Sequence, residues 1–310
     1  MSTVTAEHRP TAHSTIRRLV ARHPATAFLV MAFGFGWTSL IPILLSENGF
    51  GVLPIELPLT VVQSLVTIVG LAVPAFLVTA ATGGKEGVRD LLGRLLRWRV
   101  GVRWYLVAIF GLPVAMLLAA IPFLGAAPLE ALARKWPLLF ALFLPEVLFP
   151  FVFIQVFEEA GWTGFMQDTL QERRGPLVAS ILVAPAFFLM HLPVLLMDAG
   201  AGLALLIVFG ALVIMMTFFR IVVMWLYNGS GRSVLVVALF HSAYNSATSL
   251  GEQRFTGELI PGSAQLLIAF GVLVVVAVIL AVFTGGRLAH EPAARPAILS
   301  TGTRQEGGAA

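Results

Sequence analysis

An all-α, polytopic membrane bundle of about eight spanning helices is the fold class this sequence predicts, and three observations predict it. Apolar residues make up 58% of the 310 and charged residues only 12%, against about 25% charged in soluble domains. Mean hydropathy is +0.91, and the apolar residues fall in blocks of ~18 or more, long enough to span a bilayer as helices. The cations alternate from one gap between blocks to the next, as the positive-inside rule requires.

The spans are expected at 26–45, 59–81, 104–124, 136–157, 176–197, 203–227, 233–250 and 263–283. With the N-terminus cytoplasmic, the outer loops hold only Arg134, Lys135 and Arg254, and Arg220 lies inside a span. Every other lysine and arginine falls in an inner segment. A missed or extra helix would scramble that pattern, so the topology is N-in, C-in. The first span is too long for a signal peptide and 40–46 offers no small-x-small cleavage site, so an uncleaved anchor is expected. Flanking the membrane domain (24–284), tails 1–23 and 285–310 are rich in Ala, Pro, Thr, Gly and Arg and are expected to be mobile. Segment 85–103 carries Val88, Leu91, Leu92, Leu95 and Leu96 at helical spacing, with Arg89, Arg94 and Arg97 off that stripe. It is expected as an interfacial helix resting on anionic headgroups.

Cysteine is absent, which excludes disulfide scaffolds, thiolate metal sites and a cysteine nucleophile. Lysine occurs only at 85 and 135 while arginine is plentiful. That bias fits a GC-rich genome, not nucleic-acid binding, and a bacterial plasma membrane is the expected location. The lipid bilayer is the expected partner.

Ionisable groups cost several kcal/mol in hydrocarbon, so those inside the spans carry most of the information about function. Glu158 and Glu159 end the apolar run from Val147 to Phe157. His191 follows Phe187 by four residues, and Asn245 follows His241 by four, so each pair shares a helix face. Glu158 shares a face with Trp162, and Glu159 with Thr163. Three helices thus each offer a polar group. A water held by a carboxylate and two imidazoles is a hydrolytic arrangement: the carboxylate takes the proton, and the imidazoles and amide stabilise the oxyanion. The same His191, His241 and Glu158 could instead hold a divalent metal such as zinc that acidifies its water.

Depth decides whether these groups can meet. A fourth span ending at 157 would leave Glu158 at the inner surface and His191 deep. The conflict dissolves if that helix continues through 160–166, which is apolar enough to be buried. Counted at ~1.5 Å per residue from Arg173 and Arg174, Glu158 and His191 then lie some 22–25 Å along their helices, and His241 ~14 Å from Arg232. Of the remaining intramembrane charges, Glu146 is as readily structural as functional, and Arg220 is expected to snorkel to the headgroups.

At these residues the sequence resembles the CPBP family, intramembrane proteases related to the type II CAAX prenyl endopeptidases and to bacteriocin-immunity membrane proteins. The family pattern runs Glu-Glu-x-x-x-Arg, then Phe/Trp-x-x-x-His, then His-x-x-x-Asn. Here it is met by Glu158-Glu159, Phe187 to His191, and His241 to Asn245. The resemblance implies an endopeptidase in which Glu158 activates water with Glu159 in support, while His191, His241 and Asn245 bind that water, a metal or the oxyanion. It implies a peptide or protein substrate, lipidated or membrane-inserted. One position departs: Thr163 stands where the pattern has arginine. That favours the rival reading of a catalytically silent binding or immunity protein. A proton-coupled transporter, the third reading, would show paired repeats and broken helices, and neither is found. Without the motif arginine, a buried Glu159 needs another cation or a proton. The favoured expectation is a proton, with Arg220 at the headgroups; the competing one is that Arg220 supplies the missing guanidinium from the sixth span.

Overall fold

The computed structural model describes residues 12–199, 202–248 and 255–291, and among these all regular structure is helical. The helices are α1 (Ala12–Arg22), α2 (Pro24–Leu45), α3 (Leu59–Leu95), α4 (Val102–Leu124), α5 (Ala127–Lys135) and α6 (Leu139–Arg174). They continue with α7 (Pro176–Leu189), α8 (Leu192–Ala199), α9 (Leu203–Gly229), α10 (Val234–Thr248) and α11 (Gly262–Phe283). Helices α2, α3, α4, α6, α9 and α11 are long and apolar enough to cross a membrane, and α7 and α10 are shorter apolar helices. Six of the eight expected spans thus hold a helix long enough to cross, and the other two hold the shorter α7, which stops at Leu189, and α10. The cations at Arg9, Arg254, Arg295 and Arg304, with residues 1–11 and 292–310 of the tails, lie outside the described residues.

Several boundaries differ from expectation, each for a local reason. Residues 12–22, expected as mobile tail, form the helix α1. At the other end, Leu288 is fully buried and its carbonyl accepts a 3.1 Å hydrogen bond from Asn228 Nδ2, so the start of the C-terminal tail packs against the bundle. The second span and the basic segment are joined in α3, where Gly84 adopts φ 60°, ψ −151° and breaks the helical path. Without a Cβ, glycine takes that conformation at little cost. The basic helix therefore starts after Gly84 and ends at Leu95, short of Arg103. Arg94, expected on the headgroup face, is instead buried. It donates to Asp168 Oδ2 (2.7 Å), Tyr227 Oη (2.8 Å) and the Gly164 carbonyl (2.8 Å). Asp168 also pairs with Arg232 at 2.5 Å, so one carboxylate on α6 ties the end of α3 to the turn that follows α9.

Helix α6 does run on past 157, as the depth argument required, and ends at Arg174. It is not uniform. Wide π-helical turns at Leu139–Phe143, Phe151–Gln155 and Trp162–Gln167 bracket the two glutamates. Pro145 and Pro150, lacking an N–H, remove ladder bonds beside the first two of these turns. In its C-terminal half α10 is pinned to α6 by Ser242 Oγ donating to the Val147 carbonyl (2.5 Å) and Ser246 Oγ to Glu146 Oε2 (2.9 Å). Glu146 thus has a structural contact.

Helices α2 and α3 cross backbone to backbone at Gly36 and Gly70. A Cβ on Gly70 would sit 2.6 Å from the Gly36 Cα, closer than carbon atoms approach. Small residues at such crossings permit the dispersion contacts that hold membrane helices together. Gly70→Ala is expected to destabilise the protein by about 1–3 kcal/mol by overpacking, measured as thermal unfolding in detergent. An unchanged transition would mean that the crossing contributes nothing.

Candidate active site

Five elements build the site: α6, α7, the turn after α7, α9 and α10. Glu158 and Glu159 are neighbours on α6, so their side chains leave the helix about 100° apart, and their surroundings differ. Glu159 is fully buried. Its Oε1 accepts from Arg220 Nη1 (3.0 Å) and faces His241 Nδ1 (2.9 Å). Its Oε2 accepts from Arg220 Nη1 (3.1 Å) and from the Thr163 hydroxyl. Glu158 is 7% exposed, and its carboxylate makes no hydrogen bond or ion pair with any described residue.

Arg220 does not snorkel. Its side chain on α9 is fully buried and lies across the stripe Glu159, Thr163, Gln167 of α6. Nη1 donates to Glu159, Nη2 to the Thr163 hydroxyl (2.7 Å), and Nε to Gln167 Oε1 (2.9 Å). Gln167 is held in turn, donating from Nε2 to Ser180 Oγ (2.9 Å) and to the Arg220 carbonyl (3.2 Å). The guanidinium carbon sits 5.3 Å from the Phe187 ring centre, within the range of a cation–π contact. The expectation that Glu159 lacks a cation is thereby corrected. A buried guanidinium must find acceptors, and the α6 stripe presents three of them.

His241 on α10 is buried, its ring between Phe187 (5.8 Å) and Phe219 (5.1 Å). His191, expected inside a span, occupies a turn: α7 ends at Leu189 and α8 starts at Leu192. Its Nδ1 lies 3.2 Å from the Phe187 carbonyl and its ring stacks on Phe188 at 5.6 Å. The Phe187 ring, 5.6 Å from His191, therefore packs against both imidazoles and the guanidinium. Asn245 lies one turn beyond His241 and is half-buried. Sequence reasoning missed Gln167, Ser180 and Phe219. The signal for Gln167 was present, since it continues the i, i+4, i+8 series of Glu159 and Thr163; Phe219 is indistinguishable from any other apolar residue of its span.

A divalent metal would have to take Glu158, His191 and the second nitrogen of His241 as its donors. Nδ1 of His241 and both oxygens of Glu159 are engaged. Among the described residues no three His, Asp or Glu side chains come together as a metal would need.

Residues 139–247 match the family model of the Rce1-like type II CAAX prenyl endopeptidases. This stretch is similar to that family. It begins with the first residue of α6 and ends one residue before the end of α10, so it contains every group described above. No match is found among curated proteins. With its apolar helices long enough to cross a membrane, the chain is an integral, multi-pass membrane protein. At Thr163, where the expected pattern has arginine, Arg220 from another helix of the same stretch places its guanidinium on Glu159.

Proposed function

We propose that the protein is an intramembrane endopeptidase in which Glu158 activates the attacking water. The observation that carries this reading is the contrast between adjacent carboxylates. Glu159 is saturated by a guanidinium, a hydroxyl and an imidazole, whereas the Glu158 carboxylate is buried with no partner among the described residues. A general base must have a free lone pair facing its proton source, and of the two only Glu158 has one. In the proposed reaction the water oxygen bonds to the scissile carbonyl carbon as its proton passes to Glu158. The Asn245 amide stabilises the oxyanion, and His191 and His241 hold the water. The C–N bond then breaks as Glu158 returns the proton to the leaving amine. No step is routed through a metal. The substrate class that follows from the family name is a protein or peptide with a prenylated C-terminus, or another peptide embedded in the bilayer. Thr163, which favoured a silent member of the fold, loses that weight because the guanidinium reaches Glu159 from α9.

The test is a cleavage screen with purified protein in detergent, using prenylated and unprenylated C-terminal peptides, beside elemental analysis. Products that form with wild type, vanish with Glu158→Gln and persist in protein free of metal are expected. Cleavage that survives Glu158→Gln would overturn the assignment, and cleavage strictly tied to bound metal would overturn the metal-free route.

A further inference from the structure

We infer that Arg220 is the positioning residue of this site: by neutralising Glu159 it sets His241 as the Nδ1–H tautomer and leaves Nε2 as a hydrogen-bond acceptor. The catalytic meaning of this assignment rests on the proteolysis proposed above; the tautomer itself does not.

Two steps lead there. Glu159 is in ionic contact with Arg220 through both oxygens (3.0 and 3.1 Å), and both side chains are fully buried. An ionised carboxylate only accepts, so in the 2.9 Å contact with Oε1 the proton must be on Nδ1 of His241. Charge then decides the second nitrogen. Glu159 and Arg220 sum to zero, so Glu159 calls for no second cation on His241, and Glu158 forms no ion pair with that ring among the described residues. Nε2 therefore stays unprotonated, and it has no partner among the described residues.

The guanidinium is held where this requires it. Gln167 fixes Nε, the Thr163 hydroxyl fixes Nη2, and Phe187 covers one face. Thr163 relays between the two charges, accepting from Arg220 and donating to Glu159. A water at the site is then oriented by two acceptors, one proton toward Glu158 and the other toward His241 Nε2, with its lone pair left for the carbonyl carbon. In this arrangement His241 holds the nucleophile, and Asn245 is left as the donor to the oxyanion.

The experiment is nitrogen NMR of protein labelled at histidine, in detergent at neutral pH, with the His241 signals assigned by comparison with His241→Gln. In wild type the expected pattern is a protonated Nδ1 and an unprotonated Nε2. Arg220→Met should lose that pattern, and Arg220→Met with Thr163→Arg should regain it. Arg220→Lys keeps the charge and should retain it, which covers the case in which Arg220→Met does not fold. A wild-type His241 protonated on Nε2, alone or on both nitrogens, would overturn the inference. So would an unaltered pattern in folded Arg220→Met, or its loss in folded Arg220→Lys. With a cleavable peptide, Arg220→Met should lower kcat about 10²-fold with KM little changed, and Thr163→Arg should recover most of it. Failure to cleave any peptide would sink the proteolysis reading and leave the NMR result standing.

Discussion

Glu158→Gln is expected to leave a folded protein whose cleavage rate has fallen by about 10²- to 10⁴-fold. The amide keeps the shape of the carboxylate but cannot take a proton from water. Because Glu158 has no partner among the described residues, the exchange breaks no contact, and thermal unfolding in detergent should match that of wild type. Glu159→Gln makes the contrast. It removes the charge that Arg220 faces at 3.0 Å, so it should lower activity and stability together. If Glu158→Gln cleaves as wild type does while Glu159→Gln is folded and inert, the roles given to the two carboxylates are reversed.

Arg220→Leu is expected to destabilise the protein by about 3–5 kcal/mol, the range found when one partner of a buried ion pair is removed and the other is left uncompensated. The figure follows from burial: both side chains are 0% exposed. The pair Arg134–Glu130 is the internal control. It spans 3.7 Å with its side chains 68% and 63% exposed, and pairs of that kind are worth about 0–1 kcal/mol. Thermal unfolding in detergent should therefore place Arg220→Leu far below wild type and Arg134→Ala beside it. Adding Thr163→Arg to Arg220→Leu should recover part of the loss, since the new guanidinium would stand one turn from Glu159. Arg220→Leu unfolding at the same temperature as Arg134→Ala would mean that the pair contributes nothing and that Arg220 is free to leave the bundle.

The membrane fold and the order of its helices were determined by the sequence alone, because hydrocarbon imposes a one-dimensional rule. Apolar runs must be long enough to cross, every backbone group must be satisfied within its own segment, and cations must collect on one side. The continuation of α6 past Phe157 was legible for the same reason, since 160–166 carries no charge. Glu158, Glu159, His191, His241 and Asn245 stood out because polar groups in such runs are costly and need a purpose. Local pattern also placed Thr163 on the face of Glu159, and the Thr163 hydroxyl does donate to that carboxylate. What only the tertiary structure decided is which helix faces which. Arg220 is sixty-one residues from Glu159 along the chain, and nothing in the periodicity of its own span distinguishes a guanidinium turned to the lipid headgroups from one turned inward. That choice depends on acceptors supplied by another helix, the stripe of Glu159, Thr163 and Gln167 on α6. The burial of Arg94 on Asp168 and Tyr227 was hidden for the same reason. Charge in a bilayer is placed by its partner, and partners on different helices meet only once the bundle has packed.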